Sequence, residues 1–238
     1  MGQYYHVYVL PDPEHSQSWP NSKKAEIFTP DGIKLMEHSW LGNTSVDKVM
    51  EFLVNNPSFV AWIGDYSDNS TNNLNGHLTP DEFMSCYNAA WSDDGWAQGN
   101  AHRKEVEEMT REEVMALRED MADAFIINES KHQVISLKKY AELHWEKFKL
   151  EKEKSPDGHW FEHPLPLLTA CGNGMGGGDF YNKKNIGYKN VGVWAFDTIR
   201  IDFIQPSGYS DVTEEFLFRE QLISSFQPSS DGSLSGRA

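Results

Sequence analysis

At 238 residues, with 39% hydrophobic residues, eight Trp and thirteen Phe, the chain has the length and composition of a folded protein with a full-sized core. No apolar run approaches the ~20 residues that a helical bilayer span requires. The net charge of −15 argues against a surface that neutralises nucleic-acid phosphates.

The opening MGQYYHVYVL has no basic region ahead of an apolar segment and a small-residue cleavage site, so a secretory signal is not expected. A cytoplasmic setting follows, with Cys86 and Cys171 as free thiols. Residues 3–10 alternate around aromatic and β-branched side chains, which predicts a strand with Tyr5, Val7 and Val9 on one face. Pro30-Asp31-Gly32 supplies turn dihedrals between 25–28 and 33–38, and predicts a hairpin whose second strand delivers Glu37, His38 and Trp40 to one end. Thr44 or Ser45 caps a helix with Val46, Val49, Met50 and Leu53 at i, i+3, i+4 and i+7. A buried strand over 59–64 ends in Gly64-Asp65-Tyr66.

Thr79, Pro80 and Glu82 form a capping box for a helix carrying Phe83, Met84, Tyr87 and Trp91. An acidic helical stretch follows over 103–123, and together these pieces read as a helical insertion at about 69–121. Glu105 to Asp123 carries eight acids against Arg111 and Arg118, which suits a solvated face or a contact with a basic partner. A second hairpin is predicted over 124–128 and 133–137, then a charged helix over 138–154. Beyond the Gly-rich stretch come a long strand over 191–204, with Ile199, Ile201 and Phe203 on one side, and a last helix from Asp211 or Thr213 to Phe226. The tail 227–238 is expected to be flexible. Hairpins rather than βαβ units carry the strands, so the fold class is α+β: antiparallel, hairpin-rich sheet with packed helices, in one domain over 1–226. A hairpin followed by a Trp-containing strand and an Asp occurs at Glu26–Asp65 and again at Phe125–Asp197, an echo without residue identity.

The densest feature is HPLPLLTACGNGMGGGDF, His163 to Phe180, in which five of the seven residues from Gly172 to Gly178 are glycine. Glycine loses most entropy on ordering, so such a cluster between core elements marks sharp bends or close approach of backbone. Its spacing matches G-x-G-x-x-G, yet no helix pattern follows, which rejects a dinucleotide fingerprint, and no Gly-Lys-Ser/Thr ends it as a phosphate loop would. Two readings remain: Gly172, Asn173, Gly174, Gly176, Gly177 and Gly178 cradle an anion with backbone N–H groups, or they make a tight loop over an aromatic core.

MGQYYHVYVL, GIKLMEHSWLGN, VAWIGDYSD, HPLPLLTACGNGMGGGDF and VGVWAFDTIRI together resemble a family of uncharacterised bacterial and phage proteins that open with MGQYY. That family has no assigned activity, so the resemblance implies one continuous domain and names no chemistry. Its match skips residues 69–121.

Glu37, His38, Asp65, His163 and Asp179 all fall at expected strand ends or adjoining loops, a placement that suits acid–base work or simple capping of backbone N–H groups. Cys171 leads into the glycines, where a nucleophile or a buried thiol both fit. Residues 71–82 resemble a calcium loop in which Asn73, Asn75 and Glu82 would be ligands, but Thr71 breaks the pattern at the first ligand and the capping box already occupies Glu82. No Cys/His cluster completes a zinc site. No cofactor is identified beyond that calcium option. The leading expectation is therefore a pocket for a small anionic or nucleotide-like ligand beside the glycine loop, with catalysis left open. The alternative is a non-catalytic interaction, inhibitor or assembly protein acting through its acidic surface.

Overall fold

The structure is a computed structural model and describes residues 2–11, 26–27, 33–39, 43–67, 80–92, 121–143, 163–180 and 190–216. Its centre is a mixed, mostly antiparallel eight-stranded sheet, and the fold is α+β. The strands are β1 (Tyr5–Pro11), β2 (Glu26–Ile27), β3 (Ser58–Gly64), β4 (Phe125–Asn128), β5 (Gln133–Ser136), β6 (Ala170–Cys171), β7 (Thr198–Asp202) and β8 (Ser210–Asp211). They lie in the order β2-β1-β3-β7-β4-β5-β8, with β6 also paired to β3. Only the β3–β6 and β5–β8 pairs are parallel.

β1 and β3 pair over their full length, from Tyr5 opposite Gly64 to Pro11 opposite Ser58. Alternation sorts their side chains, since successive residues of a strand face opposite sides. Tyr5, Val7, Val9, Val60 and Trp62 enter the main core, whereas Tyr8, Ala61 and Ile63 join a second cluster with Phe83, Cys86 and Ala90. The main core is closed by α2 (Thr44–Asn55), which brings Val46, Val49, Met50 and Leu53 to the sheet as the 3.6-residue spacing requires. The second face is closed by α3 (Pro80–Ala90), so this helix, within the stretch read as an insertion, covers the central strands. Among the described residues, no helix is long and apolar enough to cross a membrane.

Several local expectations change. Asn43, not Thr44 or Ser45, caps α2, its Oδ1 accepting from the N–H of Ser45 and Val46. Residues 33–38 form no hairpin strand. Ile33 makes one bridge to Tyr5, and Leu35–His38 turn into a short helix, α1, because Glu37 reaches back to the N–H of Lys34 and closes a turn that buries Leu35 and His38 three residues apart. Residues 137–143 are helical, α4, with Ser136 Oγ accepting the N–H of Lys139. The apolar run before the glycines is also a helical turn, α5 (Pro164–Leu168), whose five residues are all buried, so the alternation a half-buried strand needs is absent. The strand expected over 191–204 shrinks to β7. Residues 190–197 form turns in which Gly192 and Phe196 have φ of 83° and 63°. Ile199 and Ile201 are buried as expected, but Phe203 lies past the strand end and is 46% exposed. Asp211 Oδ1 accepts the N–H of Thr213 and residues 213–216 form turns, while the rest of the helix expected to Phe226 lies outside the described residues.

Candidate functional site

The glycine loop is built around Tyr5, placed by β1 at the end of the sheet where β3 terminates in Gly64. The N–H of Tyr5 donates to the carbonyl of Ile33, its carbonyl lies 3.1 Å from Nε2 of His38, and its hydroxyl donates to Oδ1 of Asp179 at 3.0 Å. Burial raises the phenol far above its ordinary range, and the neighbouring Asp179, Cys171 and Asp65 push the same way, so the hydroxyl stays a donor.

Asp179 explains the loop. Its Oδ2 accepts the N–H groups of Gly174, Met175 and Gly176, each at 2.9 Å, so three successive amides do form an anion cradle, and the anion in it is the chain's own carboxylate. Burial lifts this carboxyl above its ordinary value, while the amides and the Tyr5 hydroxyl pull against the rise. Asn173 completes the closure. Its side chain both donates to the carbonyl and accepts from the N–H of Phe180, pairing as a backbone would.

The glycines have a steric reason as well. A Cβ on Gly176 would sit 2.4 Å from Cβ of Gln3, and one on Gly64 would sit 1.9 Å from its Nε2. Gly172 and Gly178 have φ of 89° and 95°, and a side chain there would meet Ser67 and the stem of Lys34. Gly177 accepts the N–H of Gln3, and Gly178 accepts that of Met36. The loop is therefore a strap over residues 2–3 and 34–36, and the space the glycines vacate is filled by Gln3. The amide of Gln3 is fully buried, and neither its Nε2 nor its Oε1 has a hydrogen-bond partner among the described residues.

The five candidate acid–base residues come to this same end of the sheet, but each polar group already has a partner or a closed environment. Glu37 accepts from Lys34 N–H. Asp65 accepts the N–H of Tyr4 at 3.1 Å and returns its own N–H to the carbonyl of Tyr4. His163 caps α5, its Nδ1 accepting the N–H of Leu165, while its backbone N–H donates to the carbonyl of Ser39. His38 is fully buried, stands edge-to-face with Trp62, and leaves Nδ1 without a partner among the described residues. Burial lowers both imidazoles from 6.5 to about 3. Cys171 is fully buried beside Ser67, whose hydroxyl donates to its carbonyl. Of the calcium-loop residues, Asn73 and Asn75 lie outside the described residues and Glu82 is exposed on α3. No group of three or more His, Cys, Asp and Glu that could hold a metal ion occurs among the described residues.

Sequence reasoning missed Tyr5 as the hub and Gln3 as the occupant, because neither side chain differs in pattern from an ordinary strand residue. It also missed a second buried network. Asp197 is fully buried and its Oδ2 accepts from Nδ2 of Asn128 at 2.6 Å and Nζ of Lys131 at 2.7 Å. Lys131 also donates to the carbonyl of Val193, which ties the β4–β5 turn to the turn before β7. The partners of Asp197 are more than sixty residues away in sequence, beyond the reach of any local signal. Comparison with protein-family models, with curated proteins and with solved structures finds no match to this chain.

Proposed function

We propose that the protein acts by binding a protein partner, without bond-making chemistry of its own, through the glycine-loop end of the sheet. The observation that carries this reading is the exposure of two large side chains beside polar groups that hold the loop in place. Tyr4 and Met175 are 43% and 44% exposed on either side of the bridge that joins Gly2 to Gly177. Their backbones are clamped, Tyr4 by Asp65 and Met175 by Asp179. Aromatic and Met side chains are enriched at protein interfaces, and a fixed backbone lowers the ordering cost of association. The candidate acids and bases, by contrast, are spent on holding the loop and its neighbours.

A photo-crosslinking residue placed at Met175 should yield a discrete protein adduct that Tyr4→Ser diminishes at least fivefold, while the same probe at Ile204, 74% exposed at the other end of the sheet, yields none. Equal labelling from both positions would refute the assignment of the surface. The acidic stretch 105–123 lies almost wholly outside the described residues. Changing Glu107, Glu108, Glu112 and Glu113 to Lys reads its share of the same contact, since exposed charges act on association more than on fold.

A further inference from the structure

We propose that His38 and His163 are a pair of acid-sensitive pins, and that their protonation releases the glycine-loop end of the sheet while the β4–β5 hairpin stays closed. The geometry assigns each ring a role that only its neutral form can play. A protonated imidazole has two N–H donors and accepts nothing. His163 holds the first turn of α5 by accepting the N–H of Leu165 at Nδ1, and α5 runs directly into β6 and the glycine loop. A proton on Nδ1 removes that acceptor and leaves the amide opposed to a second donor. His38 uses Nε2–H for the carbonyl of Tyr5, so a second proton can enter only at Nδ1, which is enclosed without a partner among the described residues. The two residues meet at one junction, because the carbonyl of Ser39, next to His38, accepts the backbone N–H of His163.

The carbonyl of Tyr5 favours a proton on His38, but burial outweighs it. His6 on β1 acts on His38 as a like charge, and among the described residues no carboxylate acts on either imidazole. Glu37 on α1 is committed to Lys34, and Asp65, Cys171 and Asp179 cluster at the hydroxyl of Tyr5, on the far side of its ring from the carbonyl His38 holds. Asp179 opposes the effect. Its carboxyl is lifted in the folded protein, so on its own it favours the folded state as pH falls. The histidines have the opposite sign. When exposed they take up protons near 6.5, but when buried only near 3, so the stability of the closed end is complete above pH 6.5 and is lost as pH falls from there toward 3. At pH 5 each histidine favours the open form by about thirtyfold.

Hydrogen exchange of the full chain at pH 7.5 and pH 5, corrected for the intrinsic rate, reads this directly. Protection over 163–180 and 33–39 should fall by at least thirtyfold, and protection over 125–136 should change less than threefold. His163→Asn keeps a side-chain acceptor at the cap and does not titrate, so it should remove about half of the logarithmic fall; adding His38→Gln should remove most of the rest. Should His38→Gln fail to fold, His163→Asn alone decides. A uniform loss of protection across both regions, or an undiminished fall in His163→Asn, would overturn the proposal.

Discussion

Two aspartates tie down two turns of this sheet, and they are satisfied by different physics. Asp179 is half-buried and meets only dipoles, three amides and a phenol, all but one of them within five residues in sequence. Asp197 is fully buried and meets a cation and an amide carried by the distant β4–β5 turn. The first device closes a loop on itself and can form as soon as the loop does. The second forms only when two turns have docked. Dipoles suffice where water still reaches part of the carboxylate, whereas a carboxylate with no exposure at all requires a counter-charge.

The largest expected effect comes from removing that counter-charge. Lys131→Met leaves Asp197 charged inside the protein and should cost about 3 kcal/mol, near the low end for a broken buried pair because the Lys131 side chain is 30% exposed. For a chain of this length that is a fall in melting temperature of roughly ten degrees. Adding Asp197→Asn removes the stranded charge and should recover at least half of the loss. A double variant no more stable than Lys131→Met would show that packing of the lysine stem, not charge, holds the two turns together.

Asp179 should give a smaller effect with a different signature. Asp179→Ala frees three amides, two of which water can reach, so about 2 kcal/mol is expected, with Asp179→Asn between it and the parent. The vacated cradle should accept a small carboxylate. Formate should therefore raise the melting temperature of Asp179→Ala, by mass action on the folded state, and leave that of Lys131→Met unchanged. Thermal melts across a formate series decide it, and identical responses would erase the contrast between the two aspartates.

The same contrast decides what the sequence made legible. Alternation in β1, the buried apolar run of β3, helical spacing in α2, the Thr79-Pro80-Glu82 pattern ahead of α3 and the hairpin of β4 and β5 are local patterns, and each predicted element appears. The glycine cluster was read in two ways, as an anion cradle or as a tight loop, and in the structure its amides close on Asp179, a neighbour in sequence. Its occupant was not legible, since Asp179 reads equally as a ligand-facing acid and as a plug. The convergence of His38 and His163 on Ser39 was also hidden. Both lie on short helical turns made by capping, at Glu37 and at His163, inside segments whose apolar runs resemble strands. The Asp197 network, set by topology alone, left no trace in spacing.

The smallest effects separate two reasons for a glycine. Gly208 has φ of 84° and nothing within 4 Å of where a Cβ would sit, so Gly208→Ala meets only the left-handed backbone penalty, about 1 kcal/mol. Gly176 is not among the positive-φ residues, yet its Cβ would fall 2.4 Å from Cβ of Gln3 and 2.8 Å from its backbone nitrogen. Gly176→Ala should therefore cost about 1–3 kcal/mol through overpacking, not through dihedral strain. The two mechanisms respond differently to a change at Gln3. Gln3→Gly removes the 2.4 Å contact, so in a double-mutant cycle it should couple to Gly176→Ala by more than about 0.5 kcal/mol and to Gly208→Ala by less. Denaturant melts of the parent, the three single variants and the two double variants measure both couplings. Additivity at Gly176 would mean that the loop moves aside to admit a methyl group, and the strap would then be looser than its hydrogen bonds imply.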